Sequence, residues 1–455
     1  MLYYFLFFIW FATAFLVHSF IKSCFKPQPP GIQSPPSPPA LPFIGHLHLI
    51  GSVLPKSFQN LARRYGPLMQ IRMGASTCVV VSNAAVAKEI FKTQDLNFSS
   101  RPEFGSSEYF IYRGSRFVMA QYDDYWRFMK KLCMTRLLAV PQLDHTVDIR
   151  EQEIAKLVER VTQSCREGKP CDLSSELTTL TNNTVCRMAM STRCSGSENE
   201  AEEIHELVKM CLELAGKLSV GDVLGPLMKV FDFSGNGKKL VSALQRFDRL
   251  VERIIEEHEA KVIDGGAGDQ KTDLMDILLE TYRDPTAEVK LTKKDIKSFL
   301  LSKNCRLFSV TSSGGWQTPT VVQLWECAED CNVNGSIVKA KTRVLVNVYT
   351  IMRDPDSWTD PEEFIPERFL ESSGERVGEH QMEFKGQNFR YLPFGSGRRG
   401  CPGASLAMLV MHPAIGALVQ RFDWKGTDGE KIDLRQGSGF AAEMAKPLVC
   451  YPIPT

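Results

Sequence analysis

No acidic residue occurs before Glu89, although Lys22, Lys26, Lys56, Arg63, Arg64, Arg72 and Lys88 all precede it. Residues Leu2 to Ile21 lack formal charge of either sign and are rich in Phe, Leu, Tyr and Ile. A helix of about 20 such residues is long enough to span a bilayer core. No small-residue cleavage site follows, which disfavours a removable leader. The basic bias after the run predicts that the body lies on the cytoplasmic side. Taken whole, the chain lacks an excess of either charge. With 54 Lys+Arg against 53 Asp+Glu, its net charge of +1 provides no field to recruit nucleic acid. It also lacks the cysteine density of a small secreted scaffold. Its 13 cysteines are odd in number and irregularly spaced over 455 residues, as expected for buried thiols in a reducing compartment. The Asn-x-Ser/Thr sequons at Asn97, Asn182 and Asn334 are then chance matches.

Internal repeats and a βαβ rhythm are absent too. The single low-complexity tract is Pro27 to Pro42, containing Pro35-Pro36-Ser37-Pro38-Pro39. Proline fixes φ and removes donors, so this tract is a stiff spacer. The organisation predicted is an anchor over 1–22, a hinge over 23–45 and one large domain over 46–455. Pro55 to Tyr65 reads as a short helix ended at Gly66-Pro67, and Leu68 to Met73 and Cys78 to Val81 as strands across a turn. Ile154, Leu157, Val158 and Val161 repeat at helical spacing, as do Leu240, Leu244, Phe247, Val251 and Ile255. Val344, Val346 and Val348 alternate as in a strand. The fold class is therefore mainly α with small β-sheets.

The densest cluster of chemically useful residues is Phe394-Gly395-Ser396-Gly397-Arg398-Arg399-Gly400-Cys401-Pro402-Gly403, a glycine-rich loop before a helical run from Ala404 to Phe422. A cysteine there faces free backbone N–H groups and the positive end of a helix. Glycine lets backbone approach a flat cofactor closely. Arg399 lies within reach of an anionic group on such a cofactor.

This loop resembles the haem loop of the cytochrome P450 family, Phe-x-x-Gly-x-Arg-x-Cys-x-Gly. Phe394, Gly397, Arg399, Cys401 and Gly403 occupy its defining positions. Phe364-Ile365-Pro366-Glu367-Arg368-Phe369 resembles the family's Pro-Glu-Arg-Phe element. Trp126, Arg127 and Lys130 resemble its propionate-contacting helix, and Ser99-Ser100-Arg101-Pro102 is also similar. The texture resembles plant members that oxidise flavonoids or triterpenoids. The resemblance implies the cytochrome P450 fold behind a single-pass endoplasmic reticulum anchor, with the catalytic domain cytoplasmic. It implies haem b with Cys401 as the axial iron ligand, and Arg399, Trp126, Lys130 and Arg101 beside the propionates. It implies monooxygenation of a small apolar metabolite by O2, with electrons from NADPH through a flavoprotein reductase. Phe104, Phe117 and Phe440 fall in segments similar to the family's substrate-contacting ones, and Phe440 reads equally as a core aromatic.

The chain also departs from the family. After Asp295 to Leu301 the family has a long helix with an acid–threonine pair that delivers protons. Here residues 302–325 carry a Ser/Thr/Gly cluster with no acid beside a threonine, so no proton-relay residue is assigned. The Glu-x-x-Arg pair that normally meets Arg368 is missing from Leu301 to Asn347. Glu280-Thr281-Tyr282-Arg283 matches formally but lies on the wrong side of the gap. Trp325 stands where the family has a propionate-binding arginine. Resemblance is expected to resume at Glu326. Cys327 and Cys331 lack two further ligands at metal spacing and read as plain thiols. Two alternatives to a working monooxygenase follow. One is an inactive haem-thiolate relic of a truncated gene. The other is an isomerase or dehydratase needing neither O2 nor reductase, against which the hinged anchor argues.

Overall fold

A computed structural model describes residues 34–74, 76–102, 120–191, 235–263, 273–301, 322–369, 386–427 and 446–455. It also describes positions 3, 4, 7, 10, 11, 13–15, 18, 117, 207, 210, 214, 384 and 444. Helix α1 (Leu54–Tyr65) carries Pro55 in its first turn and stops at Gly66, whose φ of 95° only glycine adopts easily. The antiparallel hairpin β1 (Leu68–Met73) and β2 (Ser76–Val81) follows as predicted, with Leu68 opposite Val81. Next come α2 (Asp124–Leu132), α3 (Val147–Arg166), the short β3 (Cys171–Asp172), α4 (Leu173–Met190), α5 (Asn236–Ile263) and α6 (Leu274–Arg283). Residues 293–301 are helical. Beyond the gap lie β4 (Val322–Glu326), the small hairpin β5 (Cys331–Val333) and β6 (Ser336–Val338), and β7 (Arg343–Asn347). Helix α7 (Ala404–Val419) and the final strands β8 (Phe422–Gly426) and β9 (Val449–Pro454) complete the order.

The main sheet has strand order β1-β2-β7-β4, and its β2–β7 pair is parallel. Alternation sends Val79 and Val81 to one face with Trp325, Val344 and Val346. Cys78 and Val80 go to the other face with Phe58 and Leu345. Both central strands are buried on two sides, which accounts for the unbroken run Cys78-Val79-Val80-Val81. The largest core is helical, joining α2 through α7 by residues such as Met129, Leu157, Leu180, Phe247, Leu278 and Val410.

Two predicted boundaries move. The strand through Val344 and Val346 ends at Asn347, and Val348 opens a short helix. The Asn347 side chain accepts from the Thr350 N–H (3.3 Å) and donates to the Pro55 carbonyl (2.9 Å). The helical run to Phe422 stops at Val419, and Phe422 instead pairs with Pro454 in the three-stranded sheet β3-β9-β8. Long-range pairing overrides the local helical pattern there.

Among the described residues no helix is long and apolar enough to cross a membrane. Within the predicted anchor the described positions are helical, and Tyr3, Tyr4, Phe7, Trp10, Phe11 and Phe15 are exposed. The other anchor positions and the hinge up to residue 33 lie outside the described residues, as do Phe104, Phe440 and residues 302–321.

Candidate haem-thiolate site

The Cys401 loop is held between a one-turn π-helix (Glu89–Thr93) and β4. Gly397 has φ 67°, and a Cβ there would lie 2.7 Å from the Phe91 carbonyl oxygen. Gly395 has φ 72°, and a Cβ there would lie 2.7 Å from Gln323 Nε2. No residue with a side chain fits either position without displacement. The Cys401 N–H donates to the Phe394 carbonyl (2.9 Å) and the Gly400 N–H to that of Gly397 (3.0 Å). Ser396 Oγ donates to the Gly386 carbonyl (2.6 Å). Phe394 meets Phe384 edge-on at 6.1 Å. Gly403 is the N-cap of α7, so half-buried Cys401 sits two residues before that cap.

Helix α2 supplies the cationic flank. Its N-cap Asp123 accepts from the Trp126 N–H (2.8 Å), which sets where the next turn falls. Trp126 and Lys130 are four apart and share one face. Lys130 Nζ donates to the Gly400 carbonyl (2.7 Å). Trp126 lies 4.3 Å beneath the Arg399 guanidinium and stacks on Phe117 at 6.3 Å. Arg399 is 6 % exposed and donates to the Ser99 carbonyl (2.7 Å) and the Ala120 carbonyl (2.5 Å). Arg127, by contrast, is exposed and pairs with Asp124, off the face that meets the loop.

Arg101 joins this group through the backbone. Glu326 N donates to the Ser100 carbonyl (3.0 Å), laying Ser99–Arg101 along β4. Arg101 donates to the Leu324 carbonyl and places its guanidinium 4.0 Å over the Trp325 ring. Phe117 packs edge-on against Phe299 at 5.4 Å. Phe394, Gly397, Arg399, Cys401, Gly403, Trp126, Lys130 and Arg101 thus form one connected neighbourhood. Two of its contacts escape the sequence: the Arg101–Trp325 stack, and Arg398, which donates to Asp95 (2.7 Å) and the Tyr122 hydroxyl (2.9 Å). Both join residues with no shared local pattern. The two-basic run Arg398-Arg399 is the one visible signal for the Arg398 contacts, and the stack has none.

The neighbourhood suits haem. It combines a thiol at a helix entrance, a backbone cradle that a Cβ would fill, and cationic side chains for carboxylates. Other candidate groups serve structure. Cys327 and Cys331 bring their sulfurs to 3.7 Å, with burial pushing the Cys327 thiol up to about 12. Among the described residues His258, Asp273 and Asp276 gather ligand atoms within 4.8 Å of one another. His258 bonds to Ile254 and Asp273, and Asp273 and Asp276 cap α6 reciprocally.

Arg368 avoids the penalty expected for a buried, acid-deprived guanidinium. It is half-buried and donates to the carbonyls of Thr359 (2.7 Å), Asp360, Glu363 and Ile365 (each 3.1 Å). Glu280, of the formal Glu-x-x-Arg match, pairs with Arg136 instead (2.7 Å).

The family model described as Cytochrome P450 matches residues 35–302 and 318–451. The unmatched interval falls inside the stretch 302–325 flagged in the sequence. The match resumes before Glu326, in keeping with residues Val322–Glu326 forming β4. The chain is 36% identical to 3,9-dihydroxypterocarpan 6A-monooxygenase of Glycine max, covering 92% of this chain and 93% of that one. It is 37% identical to Cytochrome P450 705A5 of Arabidopsis thaliana (93% and 92%) and 34% to Beta-amyrin 24-hydroxylase of Glycine max (99% and 97%). The first alignment runs over 486 positions, more than the 455 residues here, so that relative carries residues without counterparts in this chain.

Proposed function

The chain belongs to the cytochrome P450 family of haem b-dependent monooxygenases, and on that premise we propose that it inserts one oxygen atom from O2 into a small apolar plant metabolite of flavonoid or terpenoid type. The observation that carries this is the convergence of Arg399, Lys130 and Trp126 on the loop of half-buried Cys401. Cys401 would supply the thiolate that holds the iron. Arg399 and Lys130 would hold the cofactor's carboxylates, with Arg101 beside them, and Trp126 supports Arg399 by cation–π contact. Gly397 keeps the loop backbone close to Phe91. Phe117 and Phe299 exclude water from the flank. When bound, thiolate-ligated haem supplies reductive activation of O2 with favoured O–O cleavage. Phe104, Phe117 and Phe440 are the candidate substrate contacts of this reading, and of these Phe117 alone lies among the described residues. Electrons come from NADPH through a flavoprotein reductase. Residues 1–22 anchor the chain in the endoplasmic reticulum membrane, residues 23–45 form the hinge, and the domain of residues 46–455 is cytoplasmic.

The interruption at residues 302–325 favours a second reading, a haem-thiolate protein without turnover, because the acid–threonine pair is missing there. The reduced, carbon monoxide-treated chain should show the red-shifted band of thiolate-ligated haem, and Cys401→Ala should abolish it. A band that survives this change removes Cys401 from its role. Turnover of flavonoid or triterpenoid substrates with reductase and NADPH then decides between the two readings.

A further inference from the structure

Trp325 is 2 % exposed, and its indole Nε1–H meets no acceptor among the described residues. Folded proteins rarely leave a buried donor unmade, because its lost hydration is not replaced. Its surroundings indicate which acceptor would suit it. The Arg101 guanidinium lies 4.0 Å over the ring, and Arg101 is itself 9 % exposed. A cation on the indole face makes the N–H a stronger donor and favours a negative partner nearby. Trp325 also meets Phe91 edge-on at 5.6 Å, and the Phe91 carbonyl is the atom against which Gly397 is fitted. The same wall reaches Arg399, since Ser99 accepts from Arg399 Nε (2.7 Å) and Ser100 pairs with Glu326, next to Trp325. An unmet N–H, a stacked cation and the Cys401 loop therefore share one wall.

We propose that Trp325 is a haem-positioning residue whose Nε1–H donates to a haem carboxylate while its ring holds Arg101 toward the same anionic edge. This rests on the assignment of the Cys401 loop to haem. A neutral donor with a stacked cation takes over the duty that the family resemblance gives to an arginine at this position.

The test uses the full-length, haem-loaded chain in detergent. It follows haem transfer to excess apomyoglobin, together with the reduced carbon monoxide spectrum. Trp325→Phe keeps the ring and removes the N–H. It should keep the thiolate band in place yet release haem about tenfold faster. Trp325→His, which retains a ring N–H, should recover slower release than Trp325→Phe, and stands alone as the test against wild type if Trp325→Phe does not accumulate folded. Trp358, whose buried Nε1 also meets no acceptor among the described residues, supplies the packing control. Trp358→Phe should stay within about twofold of wild type. With haem whose carboxylates are methyl-esterified, the acceptor is a neutral carbonyl, and the difference between wild type and Trp325→Phe should shrink. Wild-type release from Trp325→Phe with ordinary haem overturns the proposal, as does equal acceleration by Trp358→Phe. A wild-type chain without the thiolate band overturns the haem assignment itself. A normal wild-type band with an unaffected Trp325→Phe overturns only the role of Trp325.

Discussion

Gly397 shows how one residue type sets the approach of two chain segments. Its positive φ and the 2.7 Å clash awaiting any Cβ act together. Gly397→Ala should therefore cost about 1–3 kcal/mol and lower haem content. A thermal unfolding scan that matches wild type would refute this. Gly397, Arg399 and Cys401 were legible because the loop motif is contiguous. Trp126 and Lys130 were legible because a four-residue spacing puts both on one helix face. The same rule leaves Arg127 off that face, and it is exposed. The Arg101–Trp325 stack was not legible, because nothing local to either residue specifies the other. Asn347 is a comparable case. It is fully buried and its amide serves Pro55 and Thr350 at once, so Asn347→Leu should destabilise by about 1–3 kcal/mol as two backbone groups lose their partner. Chemical denaturation measures this directly.

At the level of elements, the α5–α6 joint is pH-sensitive. His258 Nδ1 faces the Ile254 carbonyl (2.8 Å) and Nε2 faces the Asp273 carboxylate (2.9 Å), two acceptors that together favour the doubly protonated ring. Burial alone lowers its pKa, but the Asp273 hydrogen bond and charge outweigh burial and hold it above the ordinary 6.5. The folded state therefore binds this proton more tightly than the unfolded chain. The stabilisation is complete below pH 6.5 and is lost as pH rises through the raised value. Asp276, lifted above 3.8 chiefly by burial, acts with the same sign in the acid range. The melting temperature should fall from about pH 6.5 upward, and His258→Gln should flatten that slope. A wild-type slope that the substitution leaves unaltered would count against the joint. Helix existence was readable here from the period of Leu240, Leu244, Phe247 and Val251. The joint was not, because His258 of α5 and Asp273, the N-cap of α6, meet only through the packing of the two helices.

Across the whole molecule, local pattern predicted the hairpin β1–β2 and the helical majority, while the strand order β1-β2-β7-β4 lay beyond it. Pairing between distant strands leaves no periodic trace in either. The exposed aromatic positions Tyr3, Tyr4, Phe7, Trp10, Phe11 and Phe15 belong to the segment proposed as an anchor. Removal of residues 1–22 should move the expressed chain from the membrane pellet to the supernatant, as fractionation would show. An unchanged pellet from folded protein would place membrane attachment elsewhere.

The parallel pairing of residues 78–81 with residues 343–346 also has a consequence in time. At roughly 5–20 residues per second, a ribosome delivers the second partner tens of seconds after the first. Throughout that interval Val79, Val80 and Val81 form an apolar strand with one edge open, the kind of surface that chaperones cover and that aggregates recruit. The sheet beside Cys401 thus makes the growing chain most vulnerable before the cysteine itself has been synthesised.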